Sequence, residues 1–256
     1  MTASSPAVLT PPRSAARWAG LGYLAIFVLA VFANFFAIGA VYDPDDASAT
    51  LDGVATSAGL LRMGILAFLA VFLIDVLIAW ALYVLFRPVR RDLALLTAWS
   101  RLVHTVFLGV GLVFAFGALV LVEQDAPGQA SAGDVQLAMR LFDMTWLIGL
   151  AAFGVHLILL ARLLWTSAGG PRWIAAVLTV AGAAYIVDTI AHIALADYAS
   201  YADIFLPVVA VPSVVGELAL TVWLLAVARG RRPVPTAGRG ESPAKAQITD
   251  FADCAH

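Results

Sequence analysis

The sequence predicts an all-α protein, a six-span transmembrane helix bundle with both termini in the cytoplasm. Three observations predict it. Of 256 residues, 62% are hydrophobic and only 12% charged, about half the charge of a soluble domain. Six apolar stretches, 18–41, 60–86, 93–122, 137–164, 173–195 and 206–228, each meet the ~20 residues that a bilayer-crossing helix needs. Charge also alternates from loop to loop, as orientation by short basic loops requires.

The elements follow in order. Residues 1–16 are small, polar and Pro-containing, too poor in apolar surface to offset ordering entropy, and predict a disordered cytoplasmic arm. Span one follows Arg13 and Arg17 but is too long for a signal-peptide core of ~7–15 residues, so it reads as a retained helix. The membrane domain covers 17–228. The loop after span two carries Arg87, Arg90 and Arg91, and the loop after span four is flanked by Arg162 and Arg172. The other three loops are acidic: Asp43, Asp45, Asp46 and Asp52; then Glu123, Asp125 and Asp134; then Asp197 and Asp203. Residues 42–59 and 123–136 are long enough, and rich enough in turn formers, for either to hold a short interfacial helix. In span six, Pro207 fits a first helical turn and Pro212 should kink the helix beyond it. Residues 229–256 predict a disordered basic tail, whose RGRR run at 229–232 suits anionic lipid headgroups.

Depth follows from position at 1.5 Å per residue. Asp75, His104 and Glu217 fall ~16–17 Å from the basic side and Arg101 ~12 Å, which puts four ionisable groups from three helices in one layer. Thr97, Arg101 and His104 form one polar stripe, and Ser213, Glu217 and Thr221 another, so each should face other helices. An unpaired charge at this depth is costly, and Asp75 is predicted to neutralise Arg101 across the short loop between spans two and three. A second cluster, Arg62, Arg140, Asp143, Asp188 and His192, with Tyr185 on the same helix face as the last two, gathers toward the acidic side. His156 stands apart as a packed residue, and Trp18, Trp165 and Trp173 sit where interfacial anchors belong.

The chemistry stays open among three alternatives. Interhelical hydrogen bonding alone would explain buried polar groups in a structural bundle. A small polar ligand or proton pathway would use Asp75, Arg101, His104 and Glu217. A metal-dependent intramembrane enzyme would draw on the histidines and carboxylates, but H-E-x-x-H is absent and Asp188 with His192 is the sole metal-like spacing. Neither a nucleophile elbow nor a phosphate loop is present, and no strand is predicted. No cofactor or resident metal is expected. Cys254 cannot form an internal disulfide and lies third from the end, off the prenylation pattern. The expected partner is the bilayer, with anionic lipid at the tail and no nucleic acid; whether the chain forms a homo-oligomer stays open. A three-plus-three repeat, tested through Asp75 and Asp188, fails because the two lie at different depths.

Three segments carry a resemblance: GLLRMGILAFLAVFLIDVLIAWALYVLFRPVRRDLALLTAWSRLV (59–103), IGLAAFGVHLILLARLL (148–164) and VVGELALTVWLL (214–225). Over 17–228 the chain resembles the bacterial multi-pass membrane family catalogued as domain of unknown function 4386. The matching positions are Asp75, Pro88 with Leu93 to Leu96, Arg101, His156, Asp188 and Glu217. Asn34 stands where the family pattern suggests an acid, so helix one is expected to contribute no charge. The resemblance implies a bacterial inner-membrane location and brings no activity, though it places the buried polar residues on motif positions.

Overall fold

The computed structural model describes residues 10–124 and 130–238. Six helices are long and apolar enough to cross a membrane: Pro12–Val41, Ala58–Phe86, Arg91–Glu123, Ala132–Thr166, Arg172–Ala194 and Tyr198–Ala228. They are called spans one to six below. Each packs on its chain neighbours and span six returns to span one, so the bundle is a ring closed in chain order. Arg13, Arg17, Arg87, Arg90, Arg91, Arg172 and Arg229 all fall at one end, called the termini end, and the acidic connections at the other.

Several boundaries move outward from the expectation. Span one begins at Pro12, with Ala15 and Ala16 already buried, so the arm expected over 1–16 is helical from its twelfth residue. Proline at that position suits a helix start, since the N–H it lacks would have had no partner. Residues 1–9 lie outside the described part. The loop after span one does hold a short helix, Ala47–Thr56, capped by the Asp46 carboxylate, which accepts from the amides of Ser48 and Ala49. In span six the α-helix starts at Ala202 behind a 3-10 turn at Tyr198–Tyr201, which puts Pro207 in the second turn rather than the first. The helix continues through Pro212, where the missing N–H leaves the Val208 carbonyl without its usual donor.

The tail departs furthest from the expectation. Span six ends at Ala228, and Gly230 beyond it, with a φ of 75°, lets the amides of Gly230 and Arg231 turn back onto the carbonyls of Val227 and Ala226. The chain then crosses the termini end, and Thr236–Ala237 pairs antiparallel with Ser167–Ala168 between spans four and five. Val234 packs on the core there. Disorder expected from 229 is therefore corrected over 229–238, and so is the expectation of no strand; residues 239–256 lie outside the described part.

Small residues set the closest helix approach. A methyl group added to Gly154 would meet the Gly182 carbonyl at 2.5 Å, and one on Gly182 would meet the Gly154 carbonyl at 2.5 Å. Spans four and five thus touch backbone to backbone, the usual device where lipid offers no hydrophobic drive for association. The apolar core divides in two. At the termini end all six spans contribute, from Ala15 of span one to Val227 of span six. At the opposite end the buried set comes from the first four spans and the short helix, with Phe68, Leu112, Met139 and Phe142 at its centre.

Candidate functional site

Five polar side chains lie at one level because each stands ten or eleven residues from the termini end of its helix: Tyr23, Asp75, Arg101, His156 and Glu217. At 1.5 Å per residue that level is ~15–16 Å deep. Arg101 occupies the middle and is 2% exposed. Its Nε and Nη2 donate to Asp75 Oδ1 at 2.9 and 2.5 Å, and its Nη1 donates to the Tyr23 hydroxyl at 2.8 Å. The same Nη1 lies 3.3 Å from His156 Nε2, while His156 Nδ1 lies 2.8 Å from the Thr97 carbonyl. A carbonyl only accepts, so the proton sits on Nδ1, and Nε2 offers its lone pair to the guanidinium. Tyr23 and Phe153 stack their ring faces at 4.7 and 5.4 Å from the guanidinium carbon. Each guanidinium nitrogen thus has an acceptor within reach.

Asp75 is equally enclosed. Its Oδ2 faces Thr105 Oγ1 at 3.3 Å and His104 Nε2 at 4.0 Å. The single Thr105 proton can serve either Asp75 or the Arg101 carbonyl, 2.9 Å away. His104 is wedged between Trp146 and Phe153, and its Nδ1 is buried with no partner among the described residues. The expected Asp75–Arg101 pair and the nearby His104 are thus brought together.

Glu217 differs from both. It lies within electrostatic reach of Arg101, Asp75, Tyr23 and Tyr185. Among the described residues none donates a hydrogen bond to its carboxylate, and the residue is only partly buried. The layer therefore holds one cation, one carboxylate paired with it, and one carboxylate to which no described residue donates.

Two residues of this site were misplaced or missed from sequence. His156, expected to stand apart, touches Arg101. Its depth, counted from an end at 164, equalled that of Arg101, so the signal was present. Tyr23 gave no cue, because a tyrosine in an apolar helix is ordinary. Span one contributes this hydroxyl and no charge.

The second cluster is not one cluster. Arg62 pairs with Glu123 at the mouth between spans two and three, both half-exposed. Arg140 and Gln136 hold the loop before the short helix: Arg140 Nη2 donates to the Pro44 carbonyl at 2.8 Å, and Gln136 Nε2 to those of Asp43 and Pro44 at 3.0 and 2.9 Å. Asp143 faces Tyr42 there; burial first, then the Asp143 charge, pushes the Tyr42 hydroxyl up to about 12. Asp188 accepts from the Tyr198 hydroxyl at 2.6 Å, and His192 stacks on that ring with Nδ1 at 3.0 Å from the Asp188 carbonyl. The metal-like pair Asp188 and His192 is spent on Tyr198 and on the backbone. No group of three or more His, Cys, Asp or Glu converges among the described residues.

A closed ring of six apolar helices around a buried ion pair defines a multi-pass integral membrane protein. The chain belongs to the family described as Domain of unknown function (DUF4386), whose profile matches residues 18–228. It is similar to an uncharacterized protein of Archaeoglobus fulgidus, 25% identical over 162 residues, which span 63% of this chain and 80% of that protein. No solved structure matches it.

Proposed function

We propose that the protein binds a proton or a small polar ligand at Glu217, with Arg101, Asp75, Tyr23 and His156 as the fixed scaffold beside it. One observation carries this: in the same layer, Asp75 accepts from Arg101 and Thr105, and no described residue donates to Glu217. A carboxylate held at mid-depth without a partner costs stability, and such groups mark ion and substrate pathways. His104, with an unpartnered Nδ1 and Asp75 at 4.0 Å, is the second proton-exchanging group of the layer. The basic residues at the termini end support an orientation with that end cytoplasmic in a bacterial inner membrane, where Arg229, Arg231 and Arg232, all exposed, meet anionic lipid.

An apolar carbodiimide, which reacts with carboxyl groups inside apolar surroundings, tests the reading in detergent or proteoliposomes. The expected product is a single adduct on Glu217, absent from Glu217→Gln, with Asp75 unmodified. If Asp75 reacts as readily, or Glu217 not at all, the two carboxylates do not differ as described and the bundle's polar layer is structural only.

A further inference from the structure

Span six has two unlike halves. Residues 213–227 bury Ser213, Gly216, Leu220, Thr221, Trp223, Leu224 and Val227. Residues 198–212 bury none. Span one shows a matching gap: six residues are buried up to Tyr23, and none from 24 to 32. The two helices touch near the termini end, where a methyl on Gly20 would meet the Leu225 side chain at 2.8 Å. Counted from the helix ends Glu217 stands level with Tyr23, and by the register of that contact with Val28, so it lies along the stretch where burial of span one stops. Span one is unburied from residue 24 to 32, and Val28 is 60% exposed.

Beyond that level both helices lose regular backbone bonding. Span one winds as a π-helix over Phe32–Ile38, and span six carries Pro207 and Pro212. Irregular turns of this kind concentrate at functional positions and make a helix easier to bend. The exposed side chains along these stretches of both helices are apolar, among them Phe27, Val28, Phe35, Val211 and Val214.

We infer that the gap between spans one and six is a lateral entrance through which Glu217 binds an apolar organic cation drawn from the bilayer. This rests on the proposed role of Glu217 and names its ligand class. A solute crossing apolar walls must carry apolar surface, and at the base it meets a carboxylate that no described residue donates to. A cation with an apolar body satisfies both conditions. A hydrophilic ion satisfies only the second.

The experiment is calorimetric titration of the purified full chain in detergent with tetraphenylphosphonium, against tetramethylammonium as a cation lacking the apolar body. Saturable 1:1 binding of tetraphenylphosphonium is expected, with tetramethylammonium weaker by roughly two orders of magnitude from the apolar area it cannot bury. Binding should vanish in Glu217→Gln, persist in weakened form in Glu217→Asp, be unchanged in Glu123→Gln, and weaken as protons compete at lower pH. Tetraphenylphosphonium should also slow carbodiimide labelling of Glu217. Equal binding by Glu217→Gln, or equal affinity for tetramethylammonium, overturns the proposal. So does absence of binding, as when a lipid chain or a second copy fills the gap; if carbodiimide still labels Glu217 in that case, the proton-binding role stands and the cation entrance alone falls.

Discussion

Asp75 and Glu217 stand at the same height, eleven residues from the termini end of their helices, and their surroundings are opposite. Asp75 faces a guanidinium delivered by the next helix in the chain, across a connection only four residues long. Glu217 lies on the helix that closes the ring. Its neighbours there are span one, whose Tyr23 hydroxyl is held by Arg101, and span five, whose Tyr185 hydroxyl lies by Ser213. Depth in the membrane sets what a charge costs, but the donors within reach decide whether it holds the fold or stays available.

The largest effect that follows is on Arg101. Arg101→Met leaves Asp75 buried without its main donor, and removing one partner of a buried pair costs about 3–5 kcal/mol. Asp75→Asn strands the guanidinium in the same way, with Tyr23 and His156 still accepting from it. The double variant Asp75→Asn with Arg101→Met removes both charges and should recover most of the loss, measured as reversible unfolding in mixed detergent. Single losses below about 1 kcal/mol, the range of an exposed pair, would place Asp75 in the same class as Glu217 and erase the contrast.

Tyr23→Phe comes next. It removes one acceptor from a charged donor and changes little else, which predicts a loss of about 1.5–3 kcal/mol in the same assay. The ring face over the guanidinium is kept. A neutral result would mean that Asp75 alone satisfies Arg101.

The sequence made the pairing legible and the enclosure illegible, for physical reasons. Helix count, charge alternation and the depth of Asp75, Arg101 and Glu217 all follow from one-dimensional spacing. Arg101 and His104 share a stripe because 3.6 residues per turn put them there. Which ring closes around them does not follow from spacing, because span one meets span two and span six through ordinary small and apolar residues such as Gly20 and Gly22. Tyr23 is a site residue only through that packing. The split of the acid-side residues is equally three-dimensional: Arg140 is drawn to loop carbonyls and Arg62 to Glu123, partners that hydropathy does not rank. The tail was misread because its order comes from Val234 and a two-residue strand pair, contacts too short to leave a periodic signal.

A second ion pair calibrates the first. Arg62 and Glu123 bridge spans two and three at the mouth, with side chains 49% and 40% exposed. Arg62→Ala should cost only about 0–1 kcal/mol, and the cost should shrink as salt is raised. The Arg101 effect should not respond to salt. An Arg62 effect as large as that of Arg101 would show that burial does not separate the two pairs.

The smallest expected change, Glu217→Gln, is the most informative. Gln keeps the volume and removes the charge, and no described donor is lost with it. A carboxylate kept without partners at mid-depth is a cost to stability, so the variant should unfold at the same denaturant as the parent or slightly higher. Natural sequences retain such costs where function needs them. A loss of several kcal/mol instead would mean that Glu217 pairs with Arg101 in the folded protein, that both carboxylates are structural, and that the layer serves only to hold six helices in register.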